Sequence, residues 1–483
     1  MTESRREIVI DPVTRVEGHA RISIMFNEHG RVEDARLHVA EFRGFEAICT
    51  GRLIWEMPRI TSRICGVCPV SHAVTSAKAG DEILAVTIPR TAEQLRRILV
   101  LGQWIQSHAM SFFHLSSPDL LLGFDQPAES RDFFTVMRDN EEFARRGIRL
   151  RKYGQEVISR LAGKRIHADF VIPGGVRSAL SEQNRDILLD GLPEAHSTIR
   201  MALDFMKAWL ESPHDSFDIM GSFPSLSIGM INEHEELEYY DGTLRITDAA
   251  GNIVADRIDP RTYRDFIAEE NESWSYMRFP YYQPLGPTRG MYRVGPLARL
   301  NVCARTGTPR ADAELTEYRQ RTAPQGTAQN SLYYHYARLI EILFALERIE
   351  QLLTDPETLR SDTLRSRAFS NRPQGVAATE APRGTLFHNF SAGSDGVVNR
   401  TDLLIATAQN NLAMNRGIRQ IATHLLDGPG QELPESLLNM IEAGIRSYDP
   451  CFSCATHALG RMPLRVDYRD QNGALLRSFA RKT

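Results

Sequence analysis

The stretch RICGVCPVSH, residues 63–72, contains two cysteines with C-x-x-C spacing and a histidine four positions after the second cysteine. A pair with the same spacing lies near the other end of the chain, in DPCFSCATH, residues 449–457. Two distant pairs of this kind form a closed site of four thiolates when the fold brings them together. The four cysteines are Cys65, Cys68, Cys451 and Cys454. We therefore expect the two ends of the chain to meet at a metal centre inside the fold.

The metal is not determined by the spacing. Structural zinc is the ordinary occupant of a four-cysteine site, whereas soft thiolates also suit nickel and iron. A thioredoxin-like redox role fits less well, because neither pair follows a strand in a βαβ unit. The chain has only six cysteines in 483 residues. That number is too small for a disulfide-stapled secreted scaffold, and it favours a reducing compartment such as the cytoplasm.

Composition limits the classes of function. The chain is 42% hydrophobic and 24% charged with a net charge of -4, which predicts a large core in one main domain with a lobe. It has no block of lysine and arginine, so nucleic-acid binding is not indicated. It also has no signal-type stretch at its start and no apolar run of membrane-spanning length, so direct membrane insertion is not expected.

Hydrophobic periodicity predicts an α+β fold that is mainly helical. Alternating residues indicate a small N-terminal sheet at about 5–40 and a peripheral β lobe at about 220–294, the latter with D-G and G-N turns. The long helical patterns, which predict a central bundle, cover residues 92–115, 141–161, 183–210, 329–353, 401–426 and 434–447. Proline and glycine make residues 371–383 the best linker candidate, and alternation after residue 457 predicts a β-hairpin.

Four motifs occur in a fixed order along the chain: DPVTRVEGH at residues 11–19, RICGVCPVSH, EAPRGTLFH at residues 380–388, and DPCFSCATH. Together they resemble the signatures of the large, catalytic subunit of nickel-iron hydrogenases over almost the whole chain. IPGGV at Ile172, MRFPYYQPLG and RVGPLARLNV resemble the soluble NAD-reducing subgroup. The resemblance implies a large-subunit domain at residues 1–457 and a C-terminal extension at 458–483 that is removed on maturation.

The resemblance implies a catalytic centre of nickel and of iron that carries carbonyl and cyanide ligands. All four cysteines would ligate nickel, and Cys68 and Cys454 would also bridge to iron. Such a centre splits H2 heterolytically, with Cys451 as the base and Glu17 of the RVEGH motif as the proton relay. Without the family, Glu17 would be interpreted as a solvated surface residue. Thiolates are required because a coordinated sulfur stays deprotonated where a serine hydroxyl would not.

Further residues are implied around the centre. Arg383 would donate hydrogen bonds near the iron ligands and pair with Asp119 in a charged canopy, for which a structural ion pair is the alternative. The Thr407 hydroxyl would bond a cyanide, although Ala406 replaces a proline common in the family. His72 would hydrogen-bond the bridging sulfur from one helical turn away, and a buried core histidine is its alternative.

A magnesium site is also implied by the resemblance. Its ligands would be Glu46, the backbone carbonyl near Leu403, and His457. A carboxylate, a carbonyl and several waters are the ligands that a small hard cation prefers. The remaining cysteines, Cys49 and Cys303, are expected to be buried small apolar residues.

The cysteine count also predicts partners. Two unused cysteines cannot build a four-cysteine iron-sulfur cluster, and the chain has no nucleotide-binding glycine motif. Iron-sulfur clusters, FMN and NAD are therefore expected only in diaphorase subunits and in a small hydrogenase subunit. The resemblance implies that H2 and protons are the substrates and that a maturation endopeptidase cuts after His457. The alternatives are a hydrogenase with a deazaflavin or polysulfide acceptor, and a non-hydrogenase metal-binding or quinone-linked relative, although such relatives lack the cysteine pairs.

Overall fold

The computed structural model describes residues 7–41, 43–212, 217–365, 370–426, 435–456, 465–469 and 475–480. The helices are α1 (Phe45–Cys49), α2 (Met57–Thr61), α3 (Pro69–Leu84), α4 (Arg90–Met110), α5 (Ser117–Leu122), α6 (Phe133–Asp139), α7 (Glu141–Ala162), α8 (Glu182–Glu211), α9 (Gly286–Arg289), α10 (Pro296–Val302), α11 (Pro309–Thr322), α12 (Tyr333–Thr354), α13 (Ala406–Gln409), α14 (Asn411–Leu426), α15 (Glu435–Arg446) and α16 (Phe452–Ala455).

The strands form several small sheets rather than one large sheet. They are β1 (Glu7–Ile10), β2 (Arg21–Phe26), β3 (Val32–His38), β4 (Val171–Ile172), β5 (Gly175–Val176), β6 (Leu226–Ile231), β7 (Thr243–Thr247), β8 (Ile253–Ile258), β9 (Ile267–Glu270), β10 (Phe279–Tyr282), β11 (Tyr292–Arg293), β12 (Gln374–Ala381), β13 (Gly384–Ala392), β14 (Val398–Leu404), β15 (Arg465–Arg469) and β16 (Leu475–Ala480).

The centre of the molecule is a bundle of the long helices α4, α7, α8 and α12, in which α4 packs against α7 and α12, and α8 packs against α7 and α12. Helix α12 is buried on nearly every face, and its sequence is correspondingly apolar all round except for a few charged residues. Helix α7 buries only one stripe and exposes a charged face. The predicted bundle is confirmed, and its helices begin and end within a few residues of the predicted bounds.

The N-terminal sheet is confirmed as the antiparallel order β1-β2-β3. Helix α14 packs against β3, and the side chain of Asn415 accepts a hydrogen bond from the Leu37 backbone at 2.9 Å. This contact attaches the start of the chain to a helix near its end. The turn between β1 and β2, which contains the DPVTRVEGH motif, is thereby held against the C-terminal part of the molecule.

The predicted β lobe contains the sheet β11-β6-β7-β8, with a tight connection between β7 and β8 at the G-N sequence. Its outer strand β8 is largely exposed, whereas every residue of β6 is buried. Strand β6 contacts β13 of a second antiparallel sheet, β12-β13-β14. The inner part of the lobe therefore packs on this sheet, and the two share a second hydrophobic cluster beside the main core.

Two predictions on element bounds are wrong. Residues 374–381 of the proposed linker form the buried strand β12, because Pro373 only precedes the strand and Gly375 lets it pass close to α3. A Cβ at Gly375 would lie 2.1 Å from the Ala79 carbonyl oxygen. Residues 401–404 of the predicted helix 401–426 belong to β14, which ends shortly before α13.

Helix α4 is also interrupted where a longer helix was predicted. It passes at Ser111 into a π-helical segment, Ser111–Ser116, which is followed by α5. Pro118 lies in the first turn of α5, where its missing N–H leaves no helical hydrogen bond unmade, and it favours a new helix start after the π-helical segment. The segment lies next to the N-terminal turn and contributes to the contacts described below.

At the C-terminal end, β15 and β16 pair antiparallel, which confirms the predicted hairpin, although its Asn-Gly turn lies outside the described residues. Within the described ranges, no helix is both long enough and apolar enough to cross a membrane.

Candidate metal centre

The four cysteines of the two C-x-x-C pairs converge on one point. Their Sγ atoms all lie within 4.8 Å of one another, and all four residues are buried. Sγ of Cys65 lies 3.2 Å from Sγ of Cys451, and Sγ of Cys68 lies 3.3 Å from Sγ of Cys454. Each close contact thus joins the two ends of the chain, as expected from the sequence.

Local structure sets the direction of each cysteine. Cys65 has an extended backbone and directly follows a short 3-10 turn. Cys68 is the N-cap of α3, and Pro69 is the first residue of that helix. The N–H of Val67 donates to the Cys65 sulfur at 3.2 Å. Cys451 caps the short helix α16, which turns Cys454 back toward it at an Sγ separation of 2.8 Å. Both pairs therefore present their sulfurs from a helix start.

The thiols differ in acidity. Hydrogen bonds from the other three cysteines and from His72 hold the pKa of Cys68 well below its ordinary value. Burial, together with the neighbouring thiols, raises the pKa values of Cys451 and Cys454 well above theirs. Only part of the cluster is therefore easily ionised by itself. A cation bound among the four sulfurs would stabilise the remaining thiolates and release their protons.

Glu17 lies directly on this cluster. The Cys451 thiol donates to Oε2 of Glu17 at 3.0 Å, and the Ser453 N–H donates to the same oxygen at 3.2 Å. The backbone carbonyl of Glu17 accepts from the Phe452 N–H at 3.0 Å. The carboxylate is only half-buried. It therefore links a buried sulfur to the outer part of the molecule.

Close approach of the Glu17 turn requires the glycine after it. Gly18 has a φ of +83°, and a Cβ there would lie 2.8 Å from the Ser453 backbone nitrogen. Any larger residue would push the turn away from the segment that contains Cys451. The glycine of the RVEGH motif is explained by this contact.

Arg383 is buried beside the thiols. Its guanidinium pairs with Asp449 at 3.1 Å, and Nε donates to the Asp449 backbone carbonyl. Burial lowers its pKa, but Asp449 and the nearby cysteines outweigh that effect and raise it. Nη1 of Arg383 is buried and has no hydrogen-bond partner among the described residues. A donor is thus available next to the sulfur cluster.

Thr407 contacts the segment of Cys451, and His72 contacts Cys68. The Thr407 hydroxyl accepts from the Cys451 N–H at 3.0 Å. His72 lies in α3 near Cys68, and its Nδ1 lies 3.2 Å from Nε2 of His388, whose Nδ1 contacts the Ser76 hydroxyl at 2.7 Å. His72 is therefore part of a buried polar chain that reaches the cluster.

The predicted pairing of Asp119 with Arg383 is wrong. Asp119 pairs instead with Arg446 at 2.8 Å and with Arg15. The physical reason is that Arg383 already has Asp449, in the same motif as Cys451, as its buried partner. Asp119 therefore contacts the N-terminal turn and the end of α15, and not the guanidinium of Arg383.

The magnesium ligands implied by the sequence lie partly within the described residues. Glu46 is buried in α1, which packs against β14, and Leu403 lies in β14 opposite His388. His457 lies outside the described residues, directly after Thr456, which pairs with Met277. The elements that contain Glu46 and Leu403, α1 and β14, are therefore in contact, as the predicted magnesium site requires.

Both ends of this site lie in regions that match known protein families. A model of the nickel-dependent hydrogenase family matches residues 43–122 and 216–457, and a HoxL-like model matches residues 7–42. The beta subunit of the NAD-reducing hydrogenase HoxS of Cupriavidus necator is 40% identical over 99% of this chain and 100% of its own length. The chain belongs to the nickel-dependent hydrogenases. Within this family it is a large subunit.

Two further hydrogenases support the assignment. A hydrogenase of Methanococcus voltae has one chain that is 37% identical over 95% of this chain and 96% of its own length. The crystal structure of an NAD+-reducing NiFe-hydrogenase in the H2-reduced state superposes with a TM-score of 0.90 at 43% identity, covering 94% of this chain and 99% of that chain. The nickel-iron hydrogenase large-subunit fold is thus confirmed.

The donor set of this hydrogenase subunit fits a nickel-iron centre. Four buried sulfurs within 4.8 Å of one another are soft ligands of the kind that bind nickel and iron. The unpartnered Nη1 of Arg383 fits a polar acceptor beside them, such as a diatomic ligand on a metal. A purely structural zinc site would need neither that donor nor the carboxylate of Glu17 on a sulfur.

Sequence reasoning missed two residues of the site. Asp449 is the first residue of the DPCFSCATH motif, but nothing in its spacing indicated that it would pair with Arg383. His388 is the last residue of EAPRGTLFH, and nothing in its spacing indicated that it would contact His72. Cys49 and Cys303 are buried apart from the cluster, as predicted, and burial raises the pKa of each thiol to about 12.

Proposed function

We propose that this subunit catalyses the reversible splitting of H2 into two protons and two electrons, and that partner subunits pass the electrons to NAD. The observation that carries the proposal is the contact of a half-buried carboxylate, Glu17, with the sulfur of one of four convergent cysteines. A site that only stores a metal has no use for a proton acceptor on one ligand.

We propose that Cys65, Cys68, Cys451 and Cys454 hold nickel, with Cys68 and Cys454 also holding an iron that has carbonyl and cyanide ligands. When bound, this centre supplies the Lewis acid that makes H2 acidic. The chain itself supplies the base. Sγ of Cys451 receives the proton, and Oε2 of Glu17 takes it from that sulfur, which lies within hydrogen-bond reach at 3.0 Å.

The surrounding residues orient the polar groups of the site. Arg383 would direct its free Nη1 donor toward the diatomic ligands, while Asp449 holds the rest of its guanidinium. The Thr407 hydroxyl, which already accepts from the Cys451 N–H, retains its own proton to donate to a cyanide. His72 would tune the sulfur of Cys68 by hydrogen bonding.

We also propose that Glu46, the Leu403 carbonyl and His457 bind magnesium together with water. The support is the packing of α1, which contains the buried Glu46, against β14, which contains Leu403. Metal analysis of the purified protein, before and after treatment with a chelator, is the direct measurement. One magnesium per chain is expected, and it should be absent from a Glu46→Gln variant.

NAD is the proposed acceptor because the NAD-reducing relative matches this chain over its whole length. The Methanococcus voltae relative is nearly as similar to this chain, so sequence identity by itself does not distinguish between acceptors. Diaphorase subunits with FMN and a small iron-sulfur subunit are the proposed partners, in the cytoplasm, where NAD is available. Purification of the complex from its native host, followed by H2-dependent reduction of NAD, tests this. Reduction of a deazaflavin or polysulfide instead of NAD would contradict it.

We further propose that residues 458–483 are removed by an endopeptidase that cuts after His457. The bond lies only three residues after Cys454, so its cleavage would detach the extension directly beside the segment that bears Cys451 and Cys454. Mass spectrometry of active protein should therefore find His457 at the C-terminus. An active chain that still ends at Thr483 would contradict the proposal.

A further inference from the structure

The N-terminal turn that bears Glu17 is held by four charged side chains that come from distant parts of the chain. These are Arg15, Asp119, Glu442 and Arg446, which we call the turn clamp. Within the described residues, their hydrogen bonds run to one another, to Thr14, to Leu115 and to Asn439, and none runs to a cysteine of the metal centre. The clamp is therefore separate from the pair formed by Arg383 and Asp449.

Asp119 contributes the anion at the middle of the clamp. Its Oδ2 accepts from Nε of Arg446 at 2.8 Å and from Nη1 of Arg15 at 3.1 Å. Its Oδ1 accepts from Nη2 of Arg446 at 3.0 Å and also from Nη2 of Arg15. One carboxylate thus joins two guanidinium groups, the first in the N-terminal turn and the second at the end of α15.

Arg15 has a backbone conformation that other interactions must maintain. Its φ is +55°, in the left-handed region that L-residues rarely adopt. Besides Asp119, Nη1 of Arg15 donates to the Leu115 carbonyl at 2.7 Å, in the π-helical segment. Asp119 and the π-helical segment therefore both act on Arg15, two residues before Glu17.

Glu442 holds the residue on the other side of Arg15. Its Oε1 accepts from the Thr14 N–H at 2.7 Å, and its Oε2 accepts from the Thr14 hydroxyl at 3.1 Å. Nη1 of Arg446 donates to the Thr14 carbonyl at 3.2 Å. Both backbone polar groups of Thr14 are thus bound by side chains of α15.

The clamp is electrostatically balanced and mostly buried. Burial raises the pKa of Asp119, but Arg446 and Arg15 outweigh it and keep that pKa below its usual value. The attraction between the two cations and the two anions offsets part of the cost of burying them, whereas removing one partner leaves an unpaired buried charge. The clamp is thus expected to respond sharply to the loss of a single charge.

We propose that Asp119 and Glu442 are positioning residues for proton transfer, which hold Thr14 and Arg15 so that Oε2 of Glu17 stays within hydrogen-bond reach of Sγ of Cys451. The inference rests on the proposed role of Glu17 as the relay. Transfer requires heavy atoms about 2.6 to 3.2 Å apart, and a displacement of about 1 Å costs up to roughly a hundredfold in rate.

Two reactions of the holoenzyme separate this role from a structural one. Conversion of para-hydrogen to ortho-hydrogen needs only splitting and recombination at the centre, whereas exchange of D2 with solvent H2O needs a proton to leave it. For Asp119→Asn we expect the ratio of solvent exchange to spin conversion to fall on the order of tenfold. Asp119→Glu, which restores the charge, should recover part of the ratio. Glu442→Gln should lower it as well.

A second measurement does not depend on the metal. In the metal-free full chain, hydrogen-deuterium exchange of a peptide covering residues 13–19 should become faster in both clamp variants. Asp256→Asn is the matched control, since Asp256 pairs bidentately with Arg245 at 2.8 and 3.0 Å in the β lobe. This control should change neither the rate ratio nor the exchange of the peptide.

The outcomes that overturn the inference are distinct from those that overturn the relay. If Glu17→Gln loses solvent exchange but the ratio of solvent exchange to spin conversion is unchanged in Asp119→Asn or in Glu442→Gln, the positioning role is contradicted. If solvent exchange persists in Glu17→Gln, the proposed relay itself is contradicted. Loss of metal from both clamp variants also overturns the inference, because the two residues would then be needed to build the centre. If only Asp119→Asn loses metal, the Glu442→Gln ratio decides.

Discussion

At the scale of single residues, the cysteines and Glu17 form one chemical unit. The Cys451 sulfur contacts both another cysteine of its own motif and the carboxylate that lies more than four hundred positions earlier. Gly18 makes this possible by leaving room for the Ser453 backbone. Because each of these contacts depends on a single side-chain atom, we expect single substitutions at these residues to change metal content or proton exchange strongly.

Replacement of Cys454 by serine tests the metal ligands. A hydroxyl is a hard and weakly acidic ligand that does not replace a bridging thiolate, so Cys454→Ser should lose nickel and iron and all hydrogen uptake. Cys303→Ser is the matched control, because Cys303 is buried away from the cluster. Metal analysis of both purified variants checks the prediction. Normal uptake by Cys454→Ser would rule out its role as a ligand.

Replacement of Glu17 by glutamine tests the proton relay. Glutamine has nearly the same shape as glutamate and keeps one acceptor oxygen, so metal content should be retained. Glutamine cannot take up and release a proton as a carboxylate does. Exchange of D2 with solvent should fall on the order of a hundredfold or more. Glu7→Gln, at an exposed position of β1, provides a control in the same part of the chain. Equal exchange rates in Glu17→Gln and the wild type would place the relay elsewhere.

At the scale of elements, the position of the centre depends on how α4, α7 and α12 pack. Helices α4 and α7 approach closely at Gly154, where a Cβ would lie 2.5 Å from the Gln106 backbone nitrogen. Gln106 in turn donates to the Val67 carbonyl at 2.7 Å, between Cys65 and Cys68. We therefore expect a change in this helix contact to shift the loop that bears two of the four convergent cysteines.

Gly154→Ala should destabilise the protein. The added methyl group overlaps backbone atoms of α4, and overpacking of this kind costs about 1 to 3 kcal/mol. The midpoint of thermal unfolding of the metal-free chain should fall by a few degrees. Arg160→Ala lies on the exposed face of the same helix and should change the midpoint far less. Equal midpoints for Gly154→Ala and Arg160→Ala would show that the helices can separate without cost.

At the scale of the whole molecule, buried ionisable groups make the fold sensitive to acid. Burial lowers the pKa of His108 to about 4, even though Glu341 accepts from its ring, and burial together with Arg338 lowers the pKa of His335 to about 3. Both histidines are therefore neutral in the folded chain near pH 6. The unfolded chain takes up protons at these positions first as the pH falls.

The contribution of these two histidines to the free energy of unfolding should accordingly be fully present above about pH 6.5 and decrease between about pH 6.5 and 4. The decrease per histidine is at most about 1.4 kcal/mol per pH unit. Urea unfolding of the metal-free chain across this range measures it. His335→Gln should make the pH dependence shallower, whereas His29→Gln, at an exposed site, should leave it unchanged. An unaltered slope in His335→Gln would contradict the assignment of its pKa.

The sequence by itself determined the chemistry and much of the architecture. The two C-x-x-C pairs indicated the four-sulfur site because the ligand type and spacing are local properties, and alternation and helical periodicity located the N-terminal sheet and the bundle. Strand β12 was mistaken for a linker, since proline and glycine break structure locally but are compatible with a strand at its start or against a helix. Its burial is not visible in the local pattern.

Only the tertiary structure decided which charges meet. Arg383, Arg446 and Arg15 are similar in sequence terms, yet the first pairs with Asp449 and the other two share Asp119. Partners in buried ion pairs are chosen by distances between segments up to several hundred residues apart, and these distances depend on the packing of the whole core. Residue types therefore specified the four-sulfur site, whereas the three-dimensional fold specified which charged residues hold the turn that bears Glu17.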